Sequence, residues 1–253
     1  MSARVVTGAI TVVTHFPSPY QVELFNEVER QRPGALRVFF LFRNASARRW
    51  SPLDPSFPAT FLEDPGAMAR ARSEIANTSF AVLNYYNDRR AAALIRARAA
   101  SGLPWCFWGE RPGYRYPMLA RLVRRQRLSP LRHAPHPIWG IGGWAVDEYR
   151  REFGAGRSYV NLPYFSDLTR FDASPARFSD SFTFLFSGAL VRRKGIDVLA
   201  HAFLALADEQ PHVRLSIMGE GPMEQQTRRM LARSQRVSWI GFKDWAHLPA
   251  VYA

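Results

Sequence analysis

The residues best equipped for chemistry are Arg192, Arg193 and Lys194, three cations in a row closed by Gly195. They follow an apolar run at 182–186 and precede a helical pattern at 196–208. Gly188 lets the backbone turn away from that strand. Cations at the start of a helix oppose its dipole, so stability alone does not put them there. Together with free first-turn N–H groups they make a site for phosphate. A solvated basic turn is the plainer alternative. The segment Met218-Gly219-Glu220-Gly221-Pro222 also sits between a strand and a helix. Gly219 and Gly221 allow a ligand close to the backbone, and Pro222 suits a first helical turn. In many α/β proteins such glycines only turn the chain.

Other reactive side chains are sparse. His15 follows the first strand, as an acceptor contact or as an ordinary loop histidine. His133 and His136 lie among prolines and arginines, with no carboxylate or cysteine at metal spacing. No metal and no cofactor is expected. Cys106 is the single cysteine, which excludes a disulfide framework within the chain. A Gly-x-x-x-x-Gly-Lys-Ser/Thr loop is absent, and no Gly-x-Gly-x-x-Gly follows the first strand.

These groups need elements to hold them. Strands are expected at 9–14, 35–42, 80–84, 105–108, 138–141 and 159–162, and helices at 20–31, 88–100, 116–128 and 144–153. Residues 44–78 read as irregular, because Pro52, Pro55, Pro58 and Pro65 break long elements. A polar stretch at 166–181 reads as a linker. The pattern then restarts with strands at 182–186, 213–218 and 237–240 and helices at 196–208, 223–233 and 245–252. Alternating strands and helices imply an α/β fold with parallel sheets covered on both faces. The restart implies two domains, 1–165 and 182–253, with a cleft between them. Ligands in such folds bind at the carboxyl ends of strands, here the loops at 15–20, 109–113, 187–195, 219–222 and 241–244.

The chain has 253 residues and a net charge of +13, a balance that favours phosphate-bearing or anionic partners. Hydrophobic residues make up 47%, enough for a buried core. No apolar run approaches the ~18 residues of a membrane helix. Residues 5–13 read as a buried strand and not as a signal peptide, since a small-residue cleavage site is missing. The pattern at 116–128 is basic and amphipathic. Arg121, Arg124, Arg125 and Arg127 lie opposite Met118, Leu119, Leu122 and Val123, and Arg111, Arg115 and Arg132 flank them. Packing expects the apolar side in the core and the arginines in water. A compatible reading rests residues 111–132 on an anionic membrane surface. Trp105, Phe107, Trp108 and Trp144 are expected in the core.

The run 184–253 strongly resembles the first half of the donor domain in glycosyltransferase family four. The pieces are Ser187-Gly188, Arg193-Lys194-Gly195-Ile196-Asp197, Met218-Gly219-Glu220-Gly221-Pro222, Ile240-Gly241-Phe242 and His247-Leu248-Pro249. Upstream, the run 19–26 resembles the acceptor-domain opening of a subgroup of that family. So do Phe107-Trp108-Gly109-Glu110-Arg111-Pro112, Gly143-Trp144-Ala145 and Asn161-Leu162-Pro163-Tyr164-Phe165.

The resemblance implies a GT-B fold: two Rossmann-like domains facing across a cleft, the second incomplete. It places the donor diphosphate on Gly188, Arg192, Arg193 and Lys194. It places the nucleotide and sugar beside Gly219, Glu220, Gly221, Pro222, Gly241 and Phe242. His15, Pro19 and Tyr20 line the acceptor side, and Glu110 falls where many relatives carry a histidine near the reacting sugar. Glu110 and Lys194 are the candidate catalytic pair. Two departures stand out. Many members have Gly-Arg where this chain has Gly188-Ala189, and the acidic Glu…Glu motif lies beyond Ala253, so the chain reads as truncated within its donor domain. The sequence also lacks Asp-x-Asp, the metal–diphosphate device of the other glycosyltransferase fold.

The function expected is retaining transfer of a sugar from a nucleotide sugar to a hydroxyl of a saccharide or lipid-linked acceptor, in polysaccharide or glycolipid synthesis. The setting expected is cytoplasmic, peripheral at the inner face of the plasma membrane. A nucleotide-sugar epimerase of the same fold and a non-catalytic remnant or basic binding module are the alternatives. Nucleic acid is not expected, since no basic motif with interleaved aromatics occurs.

Overall fold

The computed structural model describes residues 8–44, 53–113, 118–132, 135–172 and 180–252. Expectations for residues 5–7, Arg115, Tyr116, His133 and the middle of the 166–181 stretch lie outside the described residues, as do the side chains of Met118, Leu119 and Arg121. The chain divides into two compact units, 1–167 and 168–253.

The first unit runs β1 (Ile10–Thr14), α1 (Pro19–Gln31), β2 (Leu36–Phe40), β3 (Ala59–Phe61), α2 (Ala67–Asn77), β4 (Phe80–Leu83), α3 (Arg89–Ser101), β5 (Trp105–Gly109), α4 (Met118–Arg127), β6 (Ile138–Gly140), α5 (Gly143–Phe153) and β7 (Tyr159–Asn161). Its seven strands form one sheet in the order β3-β2-β1-β4-β5-β6-β7, every pairing parallel. Both faces are buried, which is why the strands read as continuous apolar runs. Val13, Phe39, Leu83 and Phe107 look into one core with α2, α3 and α5. Val12, Val38, Phe40, Cys106 and Trp108 look into the other, with Val22 and Phe25 of α1.

Three expectations are corrected here. Residues 44–78 hold β3 and α2. Pro58 and Pro65 border these elements instead of interrupting them, and Ala67, Ala71 and Ile75 repeat every four residues as a fully buried stripe. Trp144 is not in the core but 75% exposed. It sits on the side of α5 away from Ala145, Val146 and Tyr149, which pack inward. Leu122 and Val123 also point outward, at 66% and 47% exposure. Arg124 of the same helix reaches Glu148 and Glu152 of α5 with its guanidinium.

The second unit runs α6 (Thr169–Asp172), β8 (Phe182–Ser187), α7 (Ile196–Glu209), β9 (Val213–Met218), α8 (Glu224–Leu231), β10 (Val237–Gly241) and α9 (Leu248–Tyr252). Among the described residues its sheet has three parallel strands in the order β10-β9-β8. Val213, Leu215 and Ile217 pack under Ile196, Ala200, Phe203 and Ala207 of α7. The helix expected at 245–252 divides into a 3-10 turn at Trp245–His247 and the short α9, with Asp244 capping the turn through the Trp245 N–H.

Candidate functional site

In the first unit the strand order reverses direction between β1 and β4, the place where a doubly wound sheet opens a crevice at its carboxyl edge. A cavity of about 680 Å³ lies there. It is lined from the ends of β1 (His15, Phe16), β4 (Asn84, Tyr85, Asn87) and β5 (Gly109, Glu110), with Tyr20 from α1 and Tyr164 from the segment after β7. His15, Tyr20 and Glu110 therefore share one pocket. Pro19 is buried at the start of α1 and does not line it; it fixes the turn that presents Tyr20.

The His15 ring stacks on Tyr85 at 4.3 Å between centroids, nearly parallel. Below it runs a chain of buried polar side chains. Ser18 Oγ donates to Gln21 Oε1 at 3.1 Å, Gln21 Nε2 donates to Thr14 Oγ1 at 3.1 Å, and Thr14 Oγ1 donates to Asn84 Oδ1 at 3.1 Å. This chain holds the floor of the pocket in one arrangement.

Glu110 is exposed at the rim and lies at the end of β5. Its backbone carbonyl accepts a hydrogen bond from the Tyr149 hydroxyl at 2.8 Å, and its Oε1 accepts one from the Tyr164 hydroxyl at 3.3 Å. Tyr164 packs against Trp108, with centroids 5.6 Å apart, and against Tyr20 at 4.5 Å. Burial, then the neighbouring Tyr20 and Glu110, raises the Tyr164 hydroxyl well above the ordinary tyrosine range. Burial does the same for Tyr149. Both stay protonated as donors. Beside Glu110, Arg111 pairs with Glu148 at 3.3 Å and lies over the exposed ring of Trp144 at 5.5 Å. Burial raises Glu148, but hydrogen bonds from Arg111 and Arg151 outweigh it and hold the carboxyl below its usual range.

In the second unit the loops leaving β8, β9 and β10 are tied together by main-chain bonds. Gly188 N–H donates to Met218 O at 3.0 Å, Leu190 N–H to Glu220 O at 2.9 Å, Met223 N–H to Leu190 O at 3.0 Å and Gly219 N–H to Gly241 O at 2.8 Å. This close approach requires the glycines: a Cβ on Gly219 would lie 1.9 Å from the Gly188 carbonyl oxygen, and one on Gly221 2.6 Å from that of Leu190. The contact that forbids a side chain at each position is therefore a neighbouring loop.

Arg192, Arg193 and Lys194 form a 3-10 turn on this rim, one residue ahead of α7, and all three are exposed. Gly195, at φ +70°, reverses the chain between turn and helix. No side chain caps α7, and its first N–H groups have nothing bonded to them among the described residues. Glu220 and Pro222 are exposed beside them, and Phe242 is half-buried at the end of β10.

Asn84, Tyr85, Asn87, Tyr149 and Tyr164 are absent from the sequence-based site. The strand-end rule that singled out the 15–20 and 109–113 loops applies equally to Asn84-Tyr85-Tyr86-Asn87 after β4. Nothing local marks Tyr149, and Tyr164 stands in the resembling segment 161–165 without being singled out for the site. His136 is buried and stacked on Trp105 at 3.7 Å, beside Arg157. Among the described residues no three metal-ligating side chains come together.

Residues 169–253 match the family described as Glycosyl transferases group 1. No curated protein matches the chain. Solved structures do. The lipopolysaccharide outer core galactosyltransferase WaaB, in its apo form, superposes with a TM-score of 0.61 at 15% identity, over 96% of this chain and 70% of that one. A UDP-forming α,α-trehalose-phosphate synthase from Burkholderia xenovorans gives 0.59 at 10% identity, over 94% and 74%. A putative UDP-N-acetylglucosamine 2-epimerase from Listeria monocytogenes gives 0.54 at 10% identity, over 97% and 71%. At such identities the likeness concerns the fold: the chain has the α/β architecture of GT-B proteins, with a seven-stranded parallel sheet in one unit and a second parallel sheet in the other.

Proposed function

We propose that this chain is a glycosyltransferase of family four, moving a sugar from a nucleotide-diphosphate donor to a hydroxyl of a saccharide or lipid-linked acceptor. The observation that carries the reading is the Arg192–Lys194 turn. It sets three exposed cations ahead of an uncapped fourteen-residue helix, inside the segment that matches Glycosyl transferases group 1. As the bond from the sugar to the diphosphate breaks, its electron pair stays on the leaving phosphate. Cations and N–H groups already in place stabilise that charge without rearranging. The Gly219–Pro222 and Gly241–Phe242 loops border the nucleotide and sugar. The acceptor occupies the pocket of His15, Tyr20 and Glu110, and Glu110 accepts the hydrogen bond of the attacking hydroxyl and takes its proton as the new bond to the sugar carbon forms. Retention at the sugar carbon is carried over from the resemblance.

The likeness to a lipopolysaccharide galactosyltransferase supports a place in polysaccharide or glycolipid synthesis. No helix among the described residues is long and apolar enough to cross a membrane. Leu122 and Val123 on α4 and Trp144 on α5 are exposed, and Arg125 and Arg127 are exposed on α4, which supports contact of residues 111–132 with an anionic bilayer surface. A second reading, nucleotide-sugar epimerisation, draws on the similar Listeria structure. Product analysis separates the two, since an epimerase alters UDP-N-acetylglucosamine without any acceptor.

The test of the donor site is Lys194→Ala titrated with UDP by calorimetry. Loss of one charge-assisted bond is expected to weaken binding by about tenfold or more. Affinity equal to that of the unaltered chain removes the assignment.

A further inference from the structure

Glu110 is an exposed glutamate with three rotatable bonds, a poor anchor for chemistry unless something restrains it. Two tyrosine hydroxyls reach it, one at the backbone and one at the carboxylate. Tyr149, fully buried on α5, donates to the Glu110 carbonyl at 2.8 Å and fixes the end of β5. Gly109 is shaped to this contact: a Cβ there would lie 2.9 Å from the Tyr149 hydroxyl and 2.4 Å from the Phe107 ring. Tyr164 donates to the carboxylate itself. Its ring is wedged between Trp108 and Tyr20, so its hydroxyl is delivered by packing and not by its own backbone alone. The Trp108 indole N–H in turn donates to Leu162 O at 2.9 Å, which ties the segment carrying Tyr164 back onto β5.

We infer that Tyr164, with Tyr149 holding the backbone, is a positioning residue that aims the Glu110 carboxylate into the aromatic pocket. The inference rests on the sugar-transfer reading only for the purpose of the clamp; its geometry does not depend on it. The hydroxyl is needed, and the ring is needed to place the hydroxyl. Removing the hydroxyl alone releases the carboxylate, and with it the hydrogen bond to Tyr20, while the ring packing on Trp108 and Tyr20 stays.

The experiment uses the full chain labelled with ¹³C-glutamate, the Glu110 signals being identified by their loss in Glu110→Gln. In Tyr164→Phe the Glu110 carboxyl resonance is expected to shift and the side-chain order parameter to fall below about 0.6, while the melting temperature holds. In parallel, transfer from UDP-glucose and UDP-galactose to methyl glycosides is expected to lose about tenfold in kcat with the donor KM unchanged. An unmoved resonance with unchanged order overturns the clamp. A moved resonance together with full transfer by Glu110→Gln keeps the clamp and removes Glu110 from the chemistry, which is a failure of the functional reading alone.

Discussion

Arg98 is the largest side chain with no exposure at all, and no carboxylate among the described residues pairs with it. Its guanidinium donates to the carbonyls of Ile75 and Thr78 at 2.8 Å each and of Pro104 at 2.6 Å. The first two belong to the end of α2, where unbonded carbonyls and the helix dipole favour a cation. Burial lowers its affinity for the proton, but arginine keeps its charge. Arg98→Met would fill much of the volume and leave the Ile75 and Thr78 carbonyls without a donor and Pro104 O with only the Ala81 N–H. We expect a loss of about 3 kcal/mol in urea denaturation; a midpoint equal to that of the unaltered chain would show that water satisfies those carbonyls equally well. In the sequence this residue is one arginine in a helix rich in Ala and Arg, and nothing sets it apart. The place of His15, Tyr20 and Glu110 on one pocket was legible because the strand-end rule points to the 15–20 and 109–113 loops, while the roles of Tyr20 and Glu110 came from the resemblance alone. Tyr149 and Tyr164 were not, because they meet Glu110 across 39 and 54 residues of chain. Hydroxyls delivered by packing leave no local signature.

At the scale of elements, strands buried on both faces announce themselves as apolar runs, and β4 and β5 read that way, while β9 shows instead an alternation broken by Arg214 and Ser216. β3 and α2 did not, since prolines dominate the local pattern and only the buried spacing of Ala67, Ala71 and Ile75 betrays the helix. The three loops on the edge of the second sheet behave as one element because their main chains bond to each other. Gly219→Ala would force a methyl group into the Gly188 carbonyl at a backbone φ of +130°. It should cost about 3 kcal/mol or more and raise amide hydrogen exchange at Gly188, Leu190 and Met223 together. Exchange that rises at Gly219 alone would mean the loops move independently.

For the whole molecule, the net charge of +13 is unevenly committed. Around α4 and α5, Arg111, Arg124, Arg132 and Arg151 are all paired to Glu148 or Glu152. Arg125 and Arg127 are exposed on the same helix as the exposed Leu122 and Val123, and Trp144 is exposed on α5 under Arg111. Vesicles containing phosphatidylserine should therefore retain the chain at low salt and release it as ionic strength rises, with each exposed cation worth ~1 kcal/mol. Leu122→Glu with Trp144→Glu should abolish retention in a cosedimentation assay. Equal retention by the double variant, or by neutral vesicles, would leave that face an ordinary solvated surface.

The lacing of the second sheet's rim has a consequence for inheritance. Carbonyl groups are common to every residue type, and Ala189 enters the lacing through its carbonyl alone, so its side chain can be exchanged while the knot itself persists. Selection for a particular ligand could thus rewrite that position in a few steps. Gly219 and Gly221 offer no such latitude, and a lineage that lost either would lose the scaffold along with the binding.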